Sequence, residues 1–349
     1  MKYFSSDNNS GAHPAVLEAV AAANQGNVAS YGDDPYTREA ENLVRHIFGR
    51  ETRSYFIFTG TAANALILKA ALRPWEGVIC AETAHINTDE CGAVEALGRK
   101  LYLVPQINGK ITPAGCAGML HYAGSVHNVA PKIVSITQST EFGQLYTLEE
   151  VRALADFCRS HGLYLHMDGS RITNAAAALG IGLREASKDL GVDMLSMGGT
   201  KNGLLCGECA VFFNPAIAPD FPYFRKQGMQ LGAKMRFVSA QFLAYLKNDL
   251  WRANAVQANS ACALLAEKIS SLPKIKITRP VEANALFARL PEKALQQLEK
   301  THHVSVWNKT YDPLLTEIQG PEVRIMTSFN TTTREVEELA GAIEAALRS

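Results

Sequence analysis

A lysine stands directly after two glycines in the stretch Val192 Asp193 Met194 Leu195 Ser196 Met197 Gly198 Gly199 Thr200 Lys201. The apolar run 192–197 has the length and composition of a buried strand. The glycines let the chain turn tightly and approach a ligand closely. A lysine placed there projects past the strand end, where open α/β sheets bind their ligands. Its amine is the side chain that forms Schiff bases with carbonyl compounds. Upstream lies His166 Met167 Asp168 Gly169 Ser170 Arg171, in which Asp168 closes a second apolar run. A carboxylate in that setting is costly unless it is paired. Its partner is either a protonated ring nitrogen or Arg171, three residues on.

A third stretch supplies an anion cradle. Tyr55 Phe56 Ile57 Phe58 reads as a strand, Thr59 Gly60 Thr61 as a turn, and Ala62 onward as a helix. Such a unit gathers free backbone N–H groups and the positive end of a helix dipole. No GK[ST] follows, so it is not a P-loop. The alternative is an ordinary threonine N-cap. An amine, a ring-nitrogen partner and a phosphate cradle together are what pyridoxal 5'-phosphate requires. His85 follows the apolar run 78–81 and sits where a ring can cover the cofactor face. His127 precedes a strand, which sets it at the opposite sheet edge unless its loop folds over. Arg171 and Arg324 offer planar forks that match a carboxylate. Arg324 lies inside the strand-like Glu322 Val323 Arg324 Ile325 Met326.

The elements that must position these groups alternate along the chain. Strands are predicted at 55–58, 77–81, 100–104, 132–137, 164–167, 192–197 and 210–214. Helices are predicted at 61–71, 89–97, 148–161, 170–179 and 183–189. This alternation implies an α/β fold with a mainly parallel seven-stranded sheet between helices. A long helix is predicted over 235–271, then a smaller α+β segment ending in a helix at 333–347. The expected division is a large catalytic domain over 1–245, with an arm at 1–15, and a small domain over 246–349.

Composition narrows the function. The chain has 349 residues, 34 basic and 34 acidic, and no net charge. That argues against a nucleic-acid binder, which needs a basic surplus. No apolar run approaches the ~20 residues of a membrane span. The first residues lack a signal-peptide core, so a cytoplasmic location is expected. Seven scattered cysteines are not a disulfide framework. Cys206 Gly207 Glu208 Cys209 has CxxC spacing, but it runs into a strand and not a helix N-terminus.

Taken together, these stretches resemble the L-threonine aldolases of pyridoxal-phosphate fold type I, especially the low-specificity bacterial branch. The resemblance rests on Ser6 Asp7, Tyr31 Gly32 Asp33 Asp34 Pro35, Thr59 Gly60 Thr61, Ala84 His85, the Asp168 and Lys201 stretches, Lys234 Met235 Arg236 and Val323 Arg324. It implies retro-aldol cleavage of a β-hydroxy-α-amino acid to glycine and an aldehyde. It further implies that Lys201 holds the cofactor, Asp168 pairs with its ring nitrogen and His85 stacks on the ring. Gly60, Thr61 and Arg236 would bind the phosphate. Ser6, Arg171 and Arg324 would hold the substrate carboxylate, and His127 would lie near the substrate side chain. A homodimer or homotetramer with interface active sites follows, in which Tyr31 and Arg236 serve a neighbour's site. Asn87 stands where several members carry an aromatic residue. The alternative within the fold is a β-eliminating lyase or an aminotransferase. A non-enzymatic dimer is the more distant one.

Overall fold

Seven runs of mostly apolar residues pair into one sheet because the inner strands are buried on both faces and have only neighbouring strands to satisfy their backbone, while the edge strand Lys100–Val104 stays half exposed. The computed structural model describes residues 1–217, 219–310 and 317–348. The strands are β1 (Arg53–Ile57), β2 (Glu76–Ala81), β3 (Lys100–Val104), β4 (Ala130–Thr137), β5 (Tyr164–Gly169), β6 (Met194–Met197) and β7 (Glu208–Phe212). Their order across the sheet is β1-β7-β6-β5-β4-β2-β3. All pairings are parallel except those of β7, which runs antiparallel to both neighbours. The helices Gly60–Ala71, Leu148–Ser160 and Ile172–Leu179 pack on this sheet. The predicted mainly parallel α/β sheet is therefore present.

A second, antiparallel sheet carries Ser305–Asn308, Glu322–Met326, Ala285–Arg289 and Lys276–Ile277 in that order. Its apolar residues join those of the helices Leu250–Ser270, Glu292–Leu298 and Thr333–Arg348 in a cluster separate from the core of the large sheet. The chain's start crosses over to this part: Lys2–Tyr3 pairs in parallel with His302–His303.

Three expected helices differ. The 235–271 helix is two, Arg236–Leu246 and Leu250–Ser270, because Asn248 and Asp249 take left-handed backbone between them. The 89–97 stretch holds only Ala93–Ala96, after a turn in which Cys91 and Gly92 have positive φ. The 183–189 stretch is turns followed by a short 3-10 segment, Lys188–Leu190. The amphipathic helix Pro35–Phe48, capped by the Asp34 carboxylate, has no counterpart in the sequence reading.

Candidate active site

The sheet register brings the chemistry together. Asp168 pairs with Ser196 on the neighbouring strand, so Asp168 and the turn after β6 stand at one carboxyl edge. Gly198 passes so close to Ser170 that an added Cβ would lie 2.3 Å from the Ser170 carbonyl oxygen. A Cβ on Gly199 would meet Leu204 at 2.4 Å and the Gly207 carbonyl at 2.9 Å. The glycines are thus required by close approach, and they set Lys201 over the sheet edge.

Lys201 lies between two cavities. One, of about 250 Å³, is lined by Thr59, Gly60, Thr61, His85, Glu90 and Glu208 among others. The other, of about 520 Å³, is lined by Ser6, His85, Glu141, Arg171, Trp307 and Arg324 among others. Lys201 and His85 line both. Burial, and after it the nearby Arg171 guanidinium, hold the Lys201 amine below the usual lysine range.

Asp168 is buried and fully engaged on its protein side. One oxygen accepts from the Ser170 backbone N–H at 2.9 Å and hydroxyl at 2.7 Å. The other accepts from Asn64 Nδ2 at 2.8 Å. Burial alone would raise its pKa, but His85, Ser170 and Lys201 outweigh it and hold the carboxyl below its ordinary value. It does not pair with Arg171, whose fork closes bidentately on Asp7 at 2.7 and 2.9 Å.

A hydrogen-bonded chain runs from Asp168 to His85. Asn64 Nδ2 donates to Glu90 Oε1 at 2.7 Å as well as to Asp168. Glu90 Oε1 in turn lies 2.8 Å from His85 Nδ1. That contact is the main cause holding the His85 pKa above its ordinary value. Glu90 is itself pushed up, chiefly by burial. The His85 backbone N–H is anchored at 2.9 Å by buried Glu141.

The anion cradle has the expected form. Thr59 caps the helix Gly60–Ala71 by accepting from the Ala62 N–H at 3.2 Å. The first two N–H groups of the helix, those of Gly60 and Thr61, have no intrahelical acceptor. On the other side, Arg324 donates to the Ser5 carbonyl at 3.1 Å and lies over Trp307, while its Nε has no partner. Burial, then Arg171, lower its pKa to about 10. Ser6 faces the same cavity, its hydroxyl accepting from the Asn8 N–H.

Three expected residues are not brought to these cavities within the chain. His127 is exposed, at the amino end of β4, opposite the edge that carries Asp168 and Lys201. Arg236 donates to the Gly26 carbonyl and packs on Phe237. Tyr31 is 49 % exposed, its ring under Lys226. The CxxC pair is also inert here: Cys209 is buried, which pushes its thiol pKa far up.

Sequence reasoning passed over Glu90, Asn64, Glu141, Glu208 and Trp307, and it gave Asp7 no role. Glu208 had a visible signal, an acid inside an apolar run. Glu90 and Asn64 had none, since only the fold sets them beside His85 and Asp168.

Residues 4–293 match the beta-eliminating lyase family. The chain is 41 % identical, over 97 % of its length and 95 % of the relative's, to a low-specificity L-threonine aldolase of Pseudomonas aeruginosa. It is 28 % identical to that of Escherichia coli over 93 % of both. Among solved structures, a threonine aldolase of Leishmania major superposes with a TM-score of 0.92 at 29 % identity, covering 99 % of this chain and all of that one. An aspartate aminotransferase of Thermus thermophilus, at 16 % identity and TM-score 0.65, shares the fold. Sequence and structure together place this chain in the beta-eliminating lyase family, among its L-threonine aldolases.

Proposed function

We propose that the protein is a pyridoxal-phosphate-dependent lyase that cleaves threonine, allo-threonine and related β-hydroxy-α-amino acids, phenylserine included, to glycine and an aldehyde. The observation that carries this reading is the single carboxyl edge on which a half-buried lysine, a buried carboxylate held below its ordinary pKa and a histidine meet beside a helix N-terminus. The residues fit the cofactor. Gly60 and Thr61 offer unused N–H groups to its phosphate, Asp168 offers a charge to its ring nitrogen and Lys201 offers the amine that holds it. When bound, the cofactor supplies an electron sink for the electron pair left at the substrate α-carbon.

The chain's own groups then divide the work. Arg324, with an unmet Nε, and Ser6 hold the substrate carboxylate; Arg171, already closed on Asp7, stiffens that wall and adds positive charge. Fixing the carboxylate sets which bond at the α-carbon stands perpendicular to the cofactor ring. His85 presents Nε2 to the substrate because Nδ1 is tied to Glu90. It takes the β-hydroxyl proton as the Cα–Cβ bond breaks. His127 and Arg236, which lie away from this chain's cavities, are assigned to a neighbouring copy's site.

We further propose a homodimer or homotetramer, a cytoplasmic location, and the division into 1–245 and 246–349. Supporting these are the exposed Tyr31, Tyr223 and Met229, the absence among described residues of a helix able to cross a membrane, and the two separate apolar clusters. The test is a panel of threonine, allo-threonine, phenylserine and serine in both enantiomers, with and without pyruvate. Glycine formed without a keto acid supports the aldolase. Ammonia with a keto acid as product would instead identify an eliminating lyase, and dependence on pyruvate an aminotransferase.

A further inference from the structure

Glu208 is a carboxylate where the proposed chemistry has no use for one. It opens β7, pairs in register with Ile57, and so lies beside the Thr59–Thr61 turn that follows Ile57. Only 8 % of it is exposed. One oxygen accepts from the Gly199 N–H at 2.9 Å, on the turn that carries Lys201. Its side chain lines the same 250 Å³ cavity as Thr59, Gly60, Thr61, Thr200 and Lys201. Among the described residues the charged or titratable groups lining that cavity are His85, Glu90, Lys201 and Glu208, so Lys201 is the one lysine or arginine among them.

A phosphate monoester dianion cannot settle beside an ionised, buried carboxylate at small cost, because two like charges so close in a low dielectric repel strongly. Either a cation enters with the phosphate or the carboxylate gives up its charge. Among the described residues no further lysine or arginine of this chain lines the cavity, and the one arginine proposed to enter from a neighbouring copy, Arg236, offsets only one of the dianion's two charges. A carboxylic acid, by contrast, can donate a hydrogen bond to a phosphate oxygen. Burial already pushes the Glu208 pKa up to about 7, against the opposing pull of Thr200, Gly199 and Lys201. The groups that face it are Lys201 and Thr200 on the glycine turn, Tyr245 from the helix Arg236–Leu246, and His85 and Glu90 across the cavity.

We propose that Glu208 is a proton-carrying residue of the phosphate site: it takes up one proton when a phosphate dianion seats on the Thr59–Thr61 turn and releases it when the phosphate leaves. Anchoring at that end is therefore coupled to pH through the protein as well as through the phosphate. The proton comes from solvent and no bond other than O–H is made or broken. The inference rests on the cavity being the cofactor site, and it concerns binding alone.

The test is calorimetric titration of the full-length chain, freed of cofactor, with inorganic phosphate and with pyridoxal 5'-phosphate. Two buffers of different ionisation enthalpy give the protons taken up per ligand. At pH 8 the wild type is expected to take up about one more proton than Glu208→Gln, and the excess should vanish near pH 5.5, where the acid is already protonated. Repeating both titrations in a Lys201→Ala background removes the lysine's own proton and should leave the difference intact. Should Glu208→Gln not fold, the Lys201→Ala chain alone still decides, since its affinity for phosphate should fall about tenfold per pH unit above pH 7.5. Equal proton uptake with and without Glu208, or a pH-independent affinity there, overturns the proposal. If the wild type binds neither ligand at any pH, the cofactor site itself is refuted, a result that cannot be confused with the other.

Discussion

His85 Nδ1 and Glu90 Oε1 lie 2.8 Å apart, and under the proposed function this contact sets the pH at which the site works. Glu90 raises the His85 pKa, so the histidine becomes an unprotonated base only as pH rises through a value above its usual ~6.5. Activity should therefore climb on the acid side through that value. In Glu90→Gln the largest raising cause is gone and only the Asp168 charge still raises the value, so the acid limb should move to lower pH. Loss of the anchored tautomer should cut kcat by about 10- to 100-fold, within the usual contribution of a positioned base. A limb that stays in place would remove Glu90 from the account. Trp307 gives a second handle. It lines the substrate cavity, sits edge-on to Phe142 and Phe287, and lies under Arg324. Trp307→Ala should raise KM for phenylserine more than for threonine, because an aryl group loses an aromatic wall worth about 0.5–1.5 kcal/mol beyond its area. An equal rise for both would mean that Trp307 acts only by steadying Arg324. Lys201, Asp168 and the Thr59–Thr61 turn were legible in the sequence because each closes an apolar run, and strand ends meet at one sheet edge. Glu90 and Asn64 were not, since hydrogen bonding between a helix and a loop leaves no periodic trace.

The elements explain why the edge is so exact in its demands. Gly198 and Gly199 leave no room for a Cβ against Ser170 and Leu204. Gly198→Ala must push β6 away from the turn after β5, and should lower both stability and cofactor occupancy, by about 1–3 kcal/mol in stability. Wild-type melting with full visible absorbance would show the contact to be slack. The N-terminal arm is the other element whose role only the fold revealed. Asp7 closes on Arg171, just past β5, and accepts from Asn284, just before the small-sheet strand Ala285–Arg289, while the Ser5 carbonyl receives Arg324. Asp7→Asn leaves the mostly buried Arg171 guanidinium without its bidentate carboxylate, with Asp168 and Glu141 as the remaining opposite charges, at an expected cost of about 3 kcal/mol in urea unfolding. The folded Asp7 pKa is depressed: burial opposes this, but Arg171 prevails. The stability it adds is thus present above the ordinary carboxylate range and lost as pH falls through the lowered value. An unchanged urea midpoint would release the arm from this duty. The long run 235–271 reads as one helix because alanine and leucine continue across the break. The break comes from the left-handed backbone of Asn248 and Asp249, which an apolar pattern does not record.

On the scale of the whole molecule, the proposed assembly is what would bring the remaining expected residues to the site. Tyr31 and Arg236, which resemble residues of the aldolase site, do not line the two cavities around Lys201, and Tyr31, Tyr223 and Met229 are exposed. Sedimentation should return a multiple of 37.9 kDa, and Arg236→Ala should weaken cofactor binding without unfolding the chain. A monomer that retains full activity would assign those residues to another task. Everything above depends on Lys201 being the residue that holds the cofactor. The direct measurement is borohydride reduction of the protein supplied with pyridoxal phosphate, followed by mass spectrometry of its peptides. The account expects a phosphopyridoxyl adduct on Lys201 and none in Lys201→Ala; an adduct on a different lysine, or on none, would contradict it.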